Sequence, residues 1–129
     1  RVRAIDPTRP IDAISGWFDQ GCGDFVSEHN YFRKLRVHLP RGSSRAFVIS
    51  EFGGLTWHVD DHSSFSEPYG YAGFKSLEEW RRAVRALLDE ACALEARGLS
   101  GYVYTQLSDV EEETNGLLSY DRRVNKLLF

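Results

Sequence analysis

The chain has 129 residues, a net charge of −3 and 42% hydrophobic residues, values that suit a single globular domain with a small core. Aromatic residues are abundant, at 13%, and no basic stripe is present, so the composition argues against nucleic acid as a partner. The sequence has no signal peptide and no apolar run near the roughly 18 residues of a membrane-spanning helix. Cys22 and Cys92 lie far apart without a CxxC motif, which predicts two reduced thiols.

The first part of the chain predicts three short strands. Arg1–Ile5 is expected to be the end of a helix, because an Asp-Pro pair follows it and disfavours further helical turns. Alternating or β-favouring residues then predict strands at 11–15, 25–31 and 46–50. The third is an unbroken apolar run, typical of a strand buried on both faces, and Glu51 follows it directly.

The second part of the chain contains the clearest secondary-structure signal. A capping box at Ser76 and apolar residues at helical spacing predict an amphipathic helix over 77–97, and Gly98 is placed to end it. A fourth strand is predicted at 99–106 and a closing helix at 121–128. The long loop at 55–73 is expected to act as a flap, because loops of more than about 15 residues are often functional.

The order of these elements predicts an α/β fold with four parallel strands. When a long helix connects two strands, the strands run parallel, because the crossover returns the chain to the end of the sheet at which the first strand began. Four such strands can form a small open sheet. They can also be half of a (β/α)8 barrel, in which about 250 residues make eight units.

Polar and aromatic side chains stand at the C-terminal end of every predicted strand. In parallel α/β folds these ends converge on one face, where active sites lie. A carboxylate beside aromatic rings suits sugar recognition, because the rings stack on the C–H faces of a pyranose while polar groups bind its hydroxyls. The candidate residues for such a site are Trp17, His29, Asn30, Tyr31, Glu51 and Tyr104.

Several short motifs, taken together and in order, resemble the catalytic domain of glycoside hydrolase family 2. The family includes β-galactosidases, β-glucuronidases and β-mannosidases, and the resemblance covers essentially all of residues 1–129. The motifs are Asp6-Pro7-Thr8-Arg9-Pro10, Gly16-Trp17-Phe18-Asp19, His29-Asn30-Tyr31, Ser50-Glu51-Phe52-Gly53 and Val103-Tyr104-Thr105-Gln106-Leu107-Ser108-Asp109-Val110-Glu111.

The resemblance implies that the four strands are the fifth to eighth of a TIM (β/α)8 barrel, so that the chain is its C-terminal half. Glu51 then occupies the position of the catalytic nucleophile of a retaining β-glycosidase. The acid/base of the family is a Glu that follows an Asn, and no Asn-Glu pair occurs in this chain. The resemblance therefore implies that the upstream half of the barrel supplies it, and that these residues alone are catalytically silent.

The resemblance also implies a sugar pocket around Glu51. The segment His29-Asn30-Tyr31 falls where the family lines the pocket, and the tyrosine there orients the nucleophile by a hydrogen bond. Trp17 is expected at the same face, and Trp57 is the expected ring of the flap. Tyr104 stands where many members carry Trp, which leaves the substrate open between β-galactoside and β-glucuronide types.

Other interpretations stay open at the level of sequence. His58 and His62, with carboxylates between them, have the composition of a metal site, but their loop lacks helical periodicity, so we predict no metal and no cofactor. A free-standing α/β module that binds a carbohydrate or protein without catalysis is the alternative function. For a half barrel we expect self-association, because its sheet would have unpaired edges.

Overall fold

A computed structural model describes residues 1–14, 16–31, 33–66 and 73–128. The chain divides into two compact units, which are described separately. Unit 1 contains Arg1–Phe52 and Ala91–Val103, and unit 2 contains Gly53–Glu90 and Tyr104–Phe129. The elements, in chain order, are helix α1 (Val2–Ile5), strand β1 (Phe25–Asn30), strand β2 (Ala46–Gly53), helix α2 (Leu77–Ala93), a 3₁₀ turn (Glu95–Arg97) and strand β3 (Leu99–Thr105).

The sheet has three parallel strands in the order β1-β2-β3, so the prediction of four strands forming half of a barrel is wrong for the described residues. The missing strand is the one predicted at 11–15, of which residues 11–14 are described and irregular. Its backbone N–H groups bind side chains instead: the Ile11 N–H donates to Asp24 Oδ2 at 2.6 Å, and the Ile14 N–H donates to Asp12 Oδ1 at 3.2 Å. Such side-chain bonds compete with a strand ladder.

The predicted start of helix α2 is confirmed, but the helix ends at Ala93 and not at the predicted residue 97. The Ser76 hydroxyl accepts the Glu79 N–H at 3.1 Å, while the Glu79 carboxylate accepts the N–H of Lys75 at 2.9 Å, one residue earlier than in a standard capping box. The α-helix ends at Ala93 and a 3₁₀ turn follows, after which Gly98 takes the left-handed conformation with φ 97°.

The closing helix predicted at 121–128 is absent. The described residues there form turns, with a single β-bridge between Leu118 and Asn125. The Asp121 carboxylate accepts the Arg123 N–H, and Asn125 Oδ1 accepts the N–H groups of the last two described residues. Asp and Asn side chains stabilise turns in this way at the expense of a helix.

Each unit has its own buried apolar residues. In unit 1 they include Phe47, Ile49 and Phe52 of β2, and in unit 2 Trp80 and Val84 of α2 are fully buried. Trp80 also donates its indole N–H to the Leu55 carbonyl at 2.9 Å, so its polar atom is paired within the core of unit 2. Neither described helix combines the length and the apolar character that crossing a membrane requires.

Candidate functional site

An irregularity between β1 and β2 sets the position of Glu51. The strands pair Glu28 with Ile49 and then His29 with Glu51, so Ser50 is an extra residue, as in a β-bulge. The Ser50 hydroxyl accepts a hydrogen bond from the Ser27 hydroxyl at 2.6 Å and donates one to the Glu28 carbonyl oxygen at 3.4 Å. The bulge therefore brings His29 directly opposite Glu51.

The two oxygens of the Glu51 carboxylate have different surroundings. Oε2 accepts a hydrogen bond from the Tyr31 hydroxyl at 2.8 Å and lies 3.2 Å from His29 Nδ1. Oε1 accepts no hydrogen bond from any described residue, and the side chain is 38% exposed. One oxygen is thus held in place, while the other forms no hydrogen bond with a described residue.

Trp17 contacts His29 and so lies beside the group formed by His29, Tyr31 and Glu51. The two rings meet edge to face, with centroids 6.1 Å apart and an interplanar angle of 63°. The preceding residue, Gly16, accepts the His29 N–H at 3.1 Å, which fixes the segment against β1. Trp17 is 57% exposed. An exposed ring held at the edge of a polar cluster can stack on a sugar.

Asn30 is placed differently from its neighbours in the sequence. Its side chain is buried, its Oδ1 accepts the Arg33 N–H at 3.2 Å, and its Nδ2 donates to the Lys34 carbonyl at 3.5 Å. Asn30 therefore closes the turn after β1, in the local manner typical of asparagine. Its contact with a substrate stays a prediction.

The other carboxylates of unit 1 for which the structure gives ion pairs are engaged away from Glu51. Glu28 lies 3.2 Å from His38, Asp19 pairs with Arg45, Asp24 pairs with Arg3, and Asp6 pairs with Arg9. None of these four shares a described contact with Glu51. None of them is assigned as the second carboxylate of a retaining glycosidase, which lies about 5–5.5 Å from the first.

Tyr104 and Trp57 belong to unit 2. The Tyr104 ring is so close to Gly53 that a Cβ there would lie 2.7 Å from Tyr104 Cε2, and φ at this glycine is 115°, so only glycine fits. Burial raises the pKa of Tyr104 well above its ordinary value. The backbone N–H of Trp57 donates to the Thr114 carbonyl at 2.9 Å.

A buried ion pair in unit 2 has no counterpart in the sequence-based predictions. The Lys126 ammonium is fully buried and donates to Asp109 Oδ1 at 2.6 Å, to the Trp57 carbonyl at 2.8 Å and to the Thr114 carbonyl at 3.0 Å. Burial raises the pKa of Asp109 and lowers the pKa of Lys126, and their mutual hydrogen bond opposes both shifts. No local pattern signals this pair, because its members lie 17 residues apart in the chain.

The histidine-containing loop does not gather metal ligands. His58 Nε2 lies 3.6 Å from Asp60, whereas His62 Nδ1 lies 2.9 Å from Asp121. Within the described ranges, no group of three or more His, Cys, Asp and Glu side chains is arranged to hold a metal ion. Cys22 and Cys92 are both free and exposed.

Comparison with protein-family models gives no match for this chain, and comparison with curated proteins gives none either. The function of this chain is therefore inferred from the geometry around Glu51 and from the motifs in the sequence.

Proposed function

We propose that this chain is part of a retaining β-glycosidase and contributes the catalytic nucleophile, Glu51. The main support is the asymmetric carboxylate, with Oε2 bonded to Tyr31 and Oε1 available. In retaining hydrolysis one carboxylate oxygen attacks the anomeric carbon, and a glycosyl-enzyme ester forms and is then hydrolysed. A hydrogen bond to the other oxygen fixes the carboxylate plane for that attack.

The neighbouring groups have consistent roles in this reaction. Tyr31 donates to Oε2 and therefore orients Glu51 rather than removing a proton from the substrate. His29 lies 3.2 Å from the same oxygen and contacts the Trp17 ring, so it connects the nucleophile to the proposed stacking surface. Trp17 would then bind the apolar face of a pyranose.

The proton donor of the reaction is assigned to a preceding segment of a longer chain. Apart from Glu51, the carboxylates of unit 1 that form described ion pairs are bound to Arg3, Arg9, His38 and Arg45, and no Asn-Glu pair occurs in the sequence. Loss of general acid–base assistance costs about 10²–10⁴-fold in rate. The 129 residues alone are therefore expected to hydrolyse no β-glycoside at a measurable rate.

The test uses the longer enzyme and aryl β-glycosides, with Glu51→Gln and Glu51→Ala variants. Glu51→Gln should abolish turnover while the fold is retained, because an amide cannot form the ester intermediate. Added formate should restore part of the rate of Glu51→Ala, since a small carboxylate can occupy the space that the shorter side chain leaves. Full activity in Glu51→Gln would reject the proposal.

A sugar-binding module without catalysis is the second candidate. It is favoured by one observation, namely that an exposed Trp17 beside His29 can bind a sugar without any proton donor. A longer protein that binds glycosides but shows no Glu51-dependent turnover would establish this alternative.

A further inference from the structure

A cavity of about 350 Å³ in unit 2 is separate from the groups that contact Glu51. Its described lining combines two aromatic rings, Trp57 and Phe74, with the polar side chains of His58 and Asp60. Small-molecule sites typically have volumes of about 300–1,000 Å³ and combine apolar walls with a few polar groups. The cavity therefore has the size and the lining of a binding site.

His58, which lines the cavity, is one of three residues of unit 2 with a buried polar atom whose hydrogen bonds are incomplete. His58 Nδ1, Asp109 Oδ2 and Thr114 Oγ1 are buried and have no hydrogen-bond partner among the described residues. All three residues are close to the buried Lys126 ammonium: Asp109 and Thr114 bind it directly, and His58 follows Trp57, whose carbonyl binds it. Unpaired buried polar atoms are costly, and they often mark a place where a water or a ligand binds.

His58 connects this buried group with the cavity. Its Nε2 lies 3.6 Å from the carboxylate of Asp60, which is 97% exposed, whereas its Nδ1 is buried. His58 also lies near enough to Asp109 to act on the pKa of that carboxyl, where burial is the dominant effect. One ring nitrogen thus faces an exposed lining residue and the other faces inward.

The main chain beside His58 is held before any ligand binds. The Trp57 N–H donates to the Thr114 carbonyl, and the Trp57 carbonyl accepts from Lys126. Because both backbone groups of Trp57 are bonded, the wall that contains Trp57 and His58 is preorganised, which lowers the entropic cost of binding.

We propose that this cavity binds a neutral hydroxylated ligand and that His58 forms the hydrogen bond that selects its hydroxyl group. The choice of a pyranoside as that ligand rests on the proposed glycosidase function. A hydroxyl is the group that fits, because it both donates and accepts and can therefore bond to His58 Nε2 in either tautomer, whereas Nδ1 is buried. The exposed Asp60 carboxylate disfavours an anionic sugar by like-charge repulsion.

The test is a titration of the ¹⁵N-labelled chain with methyl β-D-galactopyranoside or with methyl β-D-glucuronide. The indole N–H signal of Trp57 reports the cavity, that of Trp17 reports the Glu51 cluster, and that of the buried Trp80 is a reference. The neutral galactoside should shift the Trp57 signal, and the glucuronide should bind there more weakly. Asp60→Asn should reduce that difference.

Variants at His58 test the specific contact. His58→Phe keeps a ring of similar size and removes both nitrogens, and it should weaken galactoside binding at Trp57 by roughly three- to tenfold. His38→Phe, at an exposed histidine of unit 1, is the matched control and should leave that affinity unchanged. His58→Gln keeps an amide that can bind a hydroxyl and should retain part of the affinity, so the test survives a misfolded His58→Phe chain.

An unchanged affinity in both His58 variants would overturn the proposal, as would a Trp57 signal that responds to neither glycoside. Failure here is distinguishable from failure of the proposed function. A silent Trp57 together with Glu51-dependent hydrolysis by the longer enzyme would reject the cavity alone. A galactoside-responsive Trp57 with a fully active Glu51→Gln enzyme would reject Glu51 as nucleophile and leave the cavity supported.

Discussion

The Tyr31 hydroxyl donates a 2.8 Å hydrogen bond to Glu51 Oε2. Tyr31 comes directly after β1, and Glu51 lies near the end of β2, so the contact depends on the pairing of the two strands. Because the bond uses Oε2 alone, it fixes the carboxylate without occupying Oε1.

Tyr31→Phe is expected to lower kcat of the proposed longer glycosidase by about ten- to hundredfold. A hydrogen bond to a charged group contributes about 1.5–3 kcal/mol, and each 1.4 kcal/mol changes a rate by about tenfold. The measurement is steady-state hydrolysis of an aryl β-glycoside. Tyr120→Phe, at a partly exposed tyrosine of unit 2, is the matched control. Equal kcat in Tyr31→Phe and the unmodified enzyme would show that the hydrogen bond does not serve catalysis.

Asp19→Asn is expected to change how the stability of the chain depends on pH. Hydrogen bonds from the Arg45 guanidinium hold the pKa of Asp19 at about 2, below its ordinary value of 3.8. A carboxyl with a depressed folded-state pKa stabilises the fold above its unfolded pKa, and this stability is lost as pH falls from about 3.8 to about 2.

The unmodified chain should therefore be more stable than Asp19→Asn at neutral pH, and the difference should shrink across that acid range. Urea denaturation at a series of pH values measures it. Asp89→Asn, on an exposed part of α2, removes one carboxylate as a control. A difference that stays constant down to pH values below the folded pKa of Asp19 would contradict the assignment.

Lys126→Met is expected to lower the free energy of unfolding by about 3–5 kcal/mol, the usual cost of leaving one member of a buried ion pair without its partner. The substitution keeps most of the side-chain volume but leaves the Asp109 carboxylate and the Trp57 and Thr114 carbonyls without their donor. Chemical denaturation is the measurement.

Two further variants complete this experiment. Lys75→Met, at an exposed lysine, should change stability by no more than about 0.5 kcal/mol. Lys126→Met combined with Asp109→Leu should recover part of the loss, because no unpaired buried charge remains. If Lys126→Met were as stable as the Lys75→Met control, the buried pair would not hold unit 2 together.

Self-association of the isolated chain remains a prediction, and the sheet now gives it a specific test. Within the described residues, β1 and β3 each pair with β2 only, so each presents an edge that another chain can join. Val103 on β3 is 58% exposed. Val103→Lys should shift the chain towards monomer in light scattering, because a charged side chain blocks edge pairing.

Leu107→Lys, just beyond β3 at a 72% exposed position, is the matched control for the added charge. It should leave the association unchanged if the β3 edge is responsible. An unmodified chain that is monomeric at every concentration would contradict the prediction.

The sequence alone identified the elements whose signals are local. The start of α2 follows from Ser76, because capping depends on side chains within a few residues, and Gly98 ends the 3₁₀ turn that follows α2. The β2 strand and the position of Glu51 near its end follow from an apolar run that stops at a charged residue. These patterns need no information about distant contacts.

Only the tertiary structure decided which residues meet. The bulge at Ser50 sets His29 opposite Glu51, and no local pattern specifies a register between strands that are distant in the chain. The buried Lys126–Asp109 pair likewise joins residues 17 positions apart, and Lys126 lies where the sequence pattern had indicated a helix. Local propensity determined strands β1, β2 and β3 and helix α2. Long-range hydrogen bonds and the buried ion pair determined which side chains meet, because the energies of these interactions depend on neighbours that only the folded chain provides.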